Sequence, residues 1–207
     1  MNKKARVLFI IHDLYQSKNI FPLGISYLAS ILEQNQHKVD IYCQDIFHNS
    51  NEELAEYLDN NEYDIIGIGF LSARFKETVV DLCNVIKRHK KNAWLILGGH
   101  GPSPIPEYVI RQTDADIVAI GESEETILNI VKEKINGGYN LSKVCGIAWK
   151  KDEEIVINNR REPIKKLDDI SFPSWHLFPM DEYKKAVKIF EQPEDEFSLT
   201  AMSSRDA

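Results

Sequence analysis

Glycine residues stand at the ends of three successive apolar segments, and these positions are suited to binding a ligand. The first segment ends at Gly67 and Gly69, the second runs into Gly98 to Gly101, and the third ends at Gly121. Because glycine has no Cβ atom, its backbone can approach a ligand closely and adopt dihedral angles that other residues avoid. A tight turn explains any one of them, but three in succession favour a surface shared by one ligand.

Polar groups accompany these glycines. His12 follows an earlier apolar segment, and Glu122 and Ser123 come directly after the third glycine position. The backbone N–H groups of Gly98 to Gly101, at the start of a predicted helix, are suited to phosphate or amide oxygens. These residue types indicate binding of a ligand, and we predict no catalytic residues.

The elements that carry these positions alternate along the first 140 residues. Five largely apolar runs are typical of strands buried on both faces of a sheet: Arg6–Ile11, Lys38–Tyr42, Asp64–Ile68, Ala93–Leu97 and Asp116–Ile120. Helical patterns follow them at Pro22–Gln34, Asn51–Leu58, Lys76–His89, Ile105–Gln112 and Glu124–Ile135. The alternation predicts an α/β fold, a doubly wound, five-stranded parallel sheet of the flavodoxin-like or Rossmann-like kind. In such sheets ligands bind at the carboxyl ends of the strands.

The pattern changes in the remainder of the chain. We expect a hairpin of Gly146–Trp149 and Glu154–Ile157, within a hairpin and linker region that covers residues 141–197. Phe172, Trp175 and Phe178 indicate a linker that packs against a further part of the protein. We expect these side chains to be exposed if that part is missing from this chain. Residues 198–207 form a third region, at whose start a new strand, Phe197–Met202, is expected. Because a domain seldom ends directly after a new strand, we expect a truncated product.

Several classes of protein are excluded by composition and motif. The net charge is −7 and the basic residues are scattered, which argues against a nucleic-acid partner. The three cysteines are far apart and form no C-x-x-C pair, so no metal site is expected from them. No membrane span or signal peptide is present, and we expect a soluble, cytoplasmic protein. Dinucleotide, phosphoacceptor, flavodoxin and P-loop motifs are all poorly matched or missing.

Five elements follow one another in a characteristic order: Pro22-Leu-Gly-Ile-Ser-Tyr-Leu-Ala29 with His37-Lys-Val-Asp40, Ile96-Leu-Gly-Gly-His-Gly-Pro-Ser103 with Pro106-Glu107, Asp116-Ile-Val-Ala-Ile-Gly-Glu-Ser-Glu124, Asp168-Asp-Ile-Ser-Phe-Pro-Ser-Trp175, and Ser198 to Arg205. The first three resemble the N-terminal cobalamin-binding domain of cobalamin-dependent radical-SAM enzymes. The fourth resembles the linker to the radical-SAM barrel of that family, and the last resembles its first strand. In the family that strand runs into C-x-x-x-C-x-x-C, which Ser203-Ser-Arg-Asp-Ala207 does not continue.

The resemblance implies a cobalamin whose corrin ring lies over the carboxyl edge of the sheet and whose nucleotide tail runs between the strand ends. The implied cofactor contacts are His12, Leu14, Tyr15, Leu23, Gly69, Phe70, Leu71, Ser72, Gly98, Gly99, His100, Gly101, Gly121, Glu122 and Ser123. Relatives often place a proline before the histidine where this chain has Gly99, which weakens any detailed role for His100.

The cobalt-ligating motif D-x-H-x-x-G of classical cobalamin domains does not occur in this sequence. We therefore predict base-off cobalamin with no histidine on the cobalt and with Leu14 and Tyr15 beneath the corrin. His12 as the cobalt ligand is the alternative, and a hydrogen-bonded histidine at a strand end is the favoured interpretation.

The function implied is that of a cobalamin-binding module, not catalytic as a fragment. The whole enzyme is expected to carry out methyl transfer or oxidative cyclisation or rearrangement. Its S-adenosylmethionine and four-iron four-sulfur cluster would lie in a C-terminal radical-SAM barrel of the same polypeptide. One alternative is a vestigial domain of the same fold, without cofactor, that serves as a scaffold. A stand-alone nucleotide-binding or transferase domain is a third hypothesis, which rests on fold analogy alone.

Overall fold

One sheet forms the centre of the protein in the computed structural model, which describes residues 3–13, 21–71, 75–137, 140–166 and 170–186. Its strands are β1 Arg6–Ile11, β2 Lys38–Cys43, β3 Ile65–Gly69, β4 Trp94–Gly98, β5 Ile117–Ala119, β6 Ile147–Lys151 and β7 Glu154–Ile157. Within the described ranges the sheet has seven strands in the order β2-β1-β3-β4-β5-β6-β7.

The first five strands are parallel, as predicted, but the prediction of a five-stranded sheet is wrong in the number of strands. The predicted hairpin joins the same sheet, because β6 pairs antiparallel with β5 and β7 pairs antiparallel with β6. Ile147 and Ala148 are fully buried in this arrangement. The hairpin thereby covers the backbone N–H and C=O groups of β5, which would otherwise form an open edge.

Helices cover both faces of the sheet, as a doubly wound fold requires. They are α1 Leu23–Gln34, α2 Gln44–Phe47, α3 Asn51–Asn60, α4 Asp81–His89, α5 Pro106–Thr113, α6 Glu124–Asn136 and α7 Met180–Ala186. Val7 and Phe9 of β1 lie in one apolar cluster with α1 and α6. Leu8 and Ile10 lie in a second cluster with α3, α4 and α5. Successive side chains of a strand point to opposite faces, so each strand contributes to two cores.

Helix boundaries agree with local sequence signals. Ser50 caps α3 in a reciprocal capping box with Glu53. The predicted helix at 76–89 consists of a π-helical segment, Phe75–Val80, followed directly by α4. The short helices α2 and α7 were not predicted, since neither is long enough to show a period. None of the helices in the described ranges combines the length and apolarity needed to cross a membrane.

The segment that follows the hairpin packs back onto the domain. The Ser174 amide donates to the Ser26 carbonyl at 3.1 Å, and the hydroxyls of Ser30 and Ser171 lie 2.7 Å apart. Phe172 is 82% exposed, in line with the prediction. Phe178 is only 6% exposed, so the prediction that it faces solvent is wrong: it packs against α1 and α7. Trp175 is half-buried, and the predicted strand Phe197–Met202 lies outside the described residues.

Candidate ligand site at the carboxyl edge of the sheet

A crevice is expected where the strand order reverses, between β1 and β3. The chain leaves β1 towards β2 on one side and returns to β3 on the other. The helix after β1 packs on one face of the sheet, and the helix after β3 packs on the opposite face. In open α/β sheets such a topological switch point is where ligands bind, at the carboxyl ends of the strands.

The loops that follow β3 and β4 are fastened to each other. The Phe70 amide donates to the Gly98 carbonyl, and the Gly101 amide donates to the Phe70 carbonyl, each at 3.1 Å. A Cβ atom at Gly101 would lie 2.7 Å from the Phe70 ring and 2.9 Å from the Leu71 carbonyl carbon. At Gly99, where φ is 100°, a Cβ atom would lie 3.0 Å from the Phe70 carbonyl oxygen. These two glycines are therefore required for loop packing, whatever ligand binds.

Exposure divides the predicted residues of this region into two groups. Phe70 is 5% exposed and contributes its ring to the core, and Gly101 is buried beside it. Gly99 and His100 are exposed, and Leu71 is 57% exposed. Residues of the second group are accessible to a ligand through their own atoms.

Ser103, which sequence reasoning missed as a site residue, connects the loops after β4 and β5. Its hydroxyl donates to the Gly99 carbonyl at 2.8 Å and accepts from the Gly121 amide at 3.2 Å. Gly121 has φ 75°, and a Cβ atom built on it would meet nothing within 4 Å. The signal was present, since a hydroxyl in a glycine-rich loop is a usual bridge between backbone groups.

Gly69 and Gly98 complete this part of the edge. A Cβ atom on Gly69 would lie 3.3 Å from Ile25 Cδ1, and one on Gly98 would lie 3.7 Å from Ala119 Cβ. The ends of β3, β4 and β5 thus form a continuous surface that is largely backbone.

Glu122 and Ser123, at the end of β5, make local hydrogen bonds. Glu122 Oε2 accepts from the Ile164 amide at 2.6 Å, and the Ser123 hydroxyl donates to the Gly121 carbonyl at 3.1 Å. Arg161 donates to Glu125 and to Thr126 in the same region. The carboxylates of this element therefore hold residues 161–164 against the edge of the sheet.

His12 and Asp13 follow β1 at the switch point. Nδ1 of His12 is buried and has no hydrogen-bond partner among the described residues, so within them this atom does not make the hydrogen bond expected for a strand-end histidine. Burial lowers the pKa of His12, although the neighbouring Asp13 opposes the shift, and the imidazole is neutral near pH 7. Asp13 is buried and lies 2.5 Å from Nδ1 of His48. Leu14, Tyr15 and Ser72 lie outside the described residues.

A second group of buried residues lies beside the switch point, at the ends of β1 and β2, and sequence reasoning missed it. It contains Ile11, Phe21, Cys43, Phe178 and Tyr183, with Leu23 packed against it. Leu23, the remaining predicted contact, is half-buried in the first turn of α1.

Buried polar groups accompany this cluster. The Tyr183 hydroxyl donates to Asp45 Oδ2 at 2.8 Å. Burial raises the pKa of Asp45 to about 6, and the nearby Asp13 carboxylate adds to the shift while the Tyr183 hydroxyl opposes it. Burial also raises the pKa of the Cys43 thiol to about 12. Across the described ranges, no group of three or more His, Cys, Asp or Glu side chains is placed to hold a metal ion.

Comparison with known sequences identifies the family. The sequence model of the B12 binding domain matches residues 17–131, more than half of the chain. An uncharacterized methyltransferase of Pyrococcus horikoshii is 28% identical over 167 residues, which cover 79% of this chain and 35% of that protein. The anaerobic magnesium-protoporphyrin IX monomethyl ester cyclase of Rubrivivax gelatinosus is 27% identical over 190 residues, which cover 86% of this chain and 34% of the cyclase.

Comparison with solved structures shows the same fold. The cobalamin-dependent S-adenosylmethionine radical enzyme OxsB with aqua-cobalamin bound matches with a TM-score of 0.76 and 19% identity, over 88% of this chain and 25% of that chain. This chain spans about a third of the length of the two curated relatives. The resemblance expected from the sequence motifs is confirmed, and the chain belongs to the B12-binding domain family.

Proposed function

We propose that this chain binds cobalamin at the carboxyl edge of its sheet, as the cobalamin-binding module of a larger radical-SAM enzyme. The observation that carries the proposal is the exposed backbone surface formed by Gly99 and Gly121. Ser103 holds the two loops together through both of these residues. A Cβ atom on Gly121 would point into open space, so its absence lets a large ligand lie directly against the backbone there, whereas a Cβ atom on Gly99 would point at Phe70.

The residues present fit such a cofactor. Open space surrounds Gly121, and the exposed Leu71 supplies an apolar contact beside the glycine loops. Exposed backbone groups around Gly99 suit the amide groups of a corrin or a phosphate of its tail. Nδ1 of His12, which has no partner in the part of the chain that the structure describes, is a further polar atom at the switch point. When bound, cobalamin supplies methyl-carrying chemistry or helps to position a substrate, whereas the protein binds and orients it.

The cobalamin is proposed to be held base-off, without a histidine on the cobalt. The sequence contains no D-x-H-x-x-G motif. His12 directly follows β1, and its Nδ1 atom is buried, so that atom could act as a ligand only if the strand end moved. The missing motif supports a binding mode without a histidine on the cobalt, and the other ring nitrogen of His12, Nε2, is the atom that the His12→Ala variant tests.

The activity of the whole protein is proposed to be S-adenosylmethionine-dependent methyl transfer or oxidative cyclisation. A methyltransferase and a cyclase are among the relatives, and both are about three times as long as the matched region. The proposed partner is a radical-SAM barrel in the same polypeptide, with a four-iron four-sulfur cluster.

The first test is an absorbance titration of the purified chain with hydroxocobalamin, followed by desalting. We expect stoichiometric retention and a base-off spectrum that persists in the His12→Ala variant. A nitrogen-ligated spectrum in the wild type that becomes base-off in the His12→Ala variant would assign the cobalt ligand to His12.

A longer protein that includes the barrel serves as the companion sample. If neither the chain nor the longer protein retains cobalamin, the proposed function is wrong and a scaffold role is the remaining explanation. Retention by the longer protein alone would show that the barrel closes the site.

A further inference from the structure

The segment that follows the linker forms an aromatic cluster with the start of α1. The Phe21 ring centroid lies 4.9 Å from that of Phe178 and 5.2 Å from that of Tyr183. Phe178 and Tyr183 are themselves 6.2 Å apart and nearly edge-on. All three side chains are less than a tenth exposed. Phe21 is thus enclosed by two residues that lie more than 150 positions later in the chain.

A polar connection runs alongside these rings. Tyr183 donates to Asp45 in α2, and both side chains are buried. His48, at the end of the same short helix, bonds to Asp13 directly after β1. The four-residue helix α2 therefore links Tyr183 of α7 to the carboxyl end of β1. The Tyr183–Asp45 bond joins two buried groups and holds their geometry strongly, because breaking it leaves an unsatisfied polar group. The His48 side chain is 59% exposed, so its bond to the buried Asp13 is the weaker step.

The aromatic cluster also reaches the glycine-lined edge. Leu23 and Ile25 of α1 pack against it. The side chain of Ile25 is the nearest neighbour of Gly69 at the end of β3, with Cδ1 3.3 Å from the position of a Cβ atom there. Contact is continuous from the aromatic cluster, through Ile25, to the end of β3.

We infer that Phe178, Tyr183 and Asp45 form a clasp that positions both sides of the switch-point crevice, and that cobalamin retention depends on it. The clasp residues are positioning residues, because they act through Phe21, Ile25 and Asp13. Phe178 and Tyr183, which lie in the region predicted from sequence to be a linker, therefore help to position the cofactor site. This inference rests on the proposed function for its link to cobalamin, and on contacts alone for its effect on the crevice.

The positioning effect is tested without cofactor, by hydrogen–deuterium exchange on the purified chain. Tyr183→Phe keeps the ring and removes the donated hydrogen bond. The matched control is Tyr63→Phe at the opposite edge of the sheet, where the hydroxyl is bonded to Tyr57 at 2.7 Å and the residue is 9% exposed. We expect faster exchange in the peptide that contains Phe21 to Ile25 in Tyr183→Phe, and unchanged exchange there in Tyr63→Phe. Equal exchange in both variants would overturn the clasp.

The link to the cofactor is tested by the dissociation constant for hydroxocobalamin, measured at a temperature at which every variant is fully folded. We expect Tyr183→Phe and Phe178→Leu to bind about tenfold more weakly than the wild type, and Tyr63→Phe to bind as the wild type does. Normal affinity in both clasp variants would remove the link to cobalamin and leave the proposed function intact. If the wild-type chain fails to bind, the same variants are compared in the longer protein that includes the barrel. If that protein also fails to bind, the proposed function fails with that link, and the exchange experiment still decides whether the clasp exists.

Discussion

Ser103 Oγ lies 3.2 Å from the amide nitrogen of Gly121, eighteen positions later in the sequence, and 2.8 Å from the Gly99 carbonyl oxygen. One hydroxyl thus satisfies a donor on one loop and an acceptor on another. The two exposed glycines at the proposed cofactor surface are consequently held at a set separation.

Ser103→Ala is predicted to weaken cobalamin binding about fivefold, because the loops after β4 and β5 lose the bridge that spaces them. Thr113→Val is the matched control, since the Thr113 hydroxyl also donates to the carbonyl four residues earlier and accepts a backbone amide. Thr113 precedes β5, at the opposite edge of the sheet. Both variants should lose about 1 kcal/mol in the free energy of unfolding, but only Ser103→Ala should lose affinity. Equal affinities would show that the bridge does not matter to the ligand.

The sequence allowed the five parallel strands and their helices to be predicted because most of the strands are nearly continuous apolar runs such as Val7–Ile11. It did not show which strand the hairpin would join, because Ile147, Ala148 and Trp149 are apolar in either arrangement. Pairing depends on the exposed edge of β5, a property of the assembled sheet.

The clasp was missed for a related reason. Tyr183 and Asp45 are separated by 138 positions, and neither lies in a periodic pattern. The glycines were found from their spacing. Without the contacts of Phe70, however, the glycines needed for loop packing could not be separated from those open to a ligand. The sequence shows which positions lack a Cβ atom, whereas the neighbours that surround each of these positions are known only from the fold.

A pair of substitutions tests the role in loop packing that is assigned to Gly101. Gly101→Ala is predicted to lower the free energy of unfolding by about 1–3 kcal/mol, because the new methyl group overlaps the Phe70 ring and the Leu71 backbone. Gly98→Ala should change it by less than about 0.5 kcal/mol, since its nearest neighbour would be Ala119 Cβ at an ordinary 3.7 Å. Urea denaturation measures the free energy of unfolding of both variants. Similar losses in the two would contradict the packing role assigned to Gly101.

A second glycine pair tests the proposed cofactor surface itself. Gly121 and Gly137 have similar left-handed conformations, with φ 75° and 65°, and open space around both. Gly121→Gln and Gly137→Gln should therefore destabilise the fold equally, by about 1–2 kcal/mol. Gly137 ends α6 at the opposite edge of the sheet, so only Gly121→Gln is expected to abolish retention of hydroxocobalamin after desalting. Retention by both variants would place the ligand elsewhere.

Asp45 predicts a specific dependence of stability on pH. Its pKa is raised to about 6 in the folded protein, mainly by burial and further by Asp13, from an ordinary value of 3.8. A raised pKa means that the folded state holds the proton more tightly than the unfolded state does. The resulting contribution of Asp45 to the free energy of unfolding is therefore complete below about pH 4 and is lost as the pH rises through about 6. Asp45→Asn cannot titrate, and its side-chain oxygen can still accept from Tyr183.

The comparison to make is therefore the difference in the free energy of unfolding between the wild type and Asp45→Asn at pH 5.0 and pH 7.5. The wild type should gain about 1 kcal/mol relative to the variant at the lower pH. Other titrating groups, such as His12, act in both proteins and cancel in this difference. A difference that does not change with pH would mean that Asp45 is ionised in the folded protein throughout this range. The carboxylate would then be held mainly by its hydrogen bond from Tyr183.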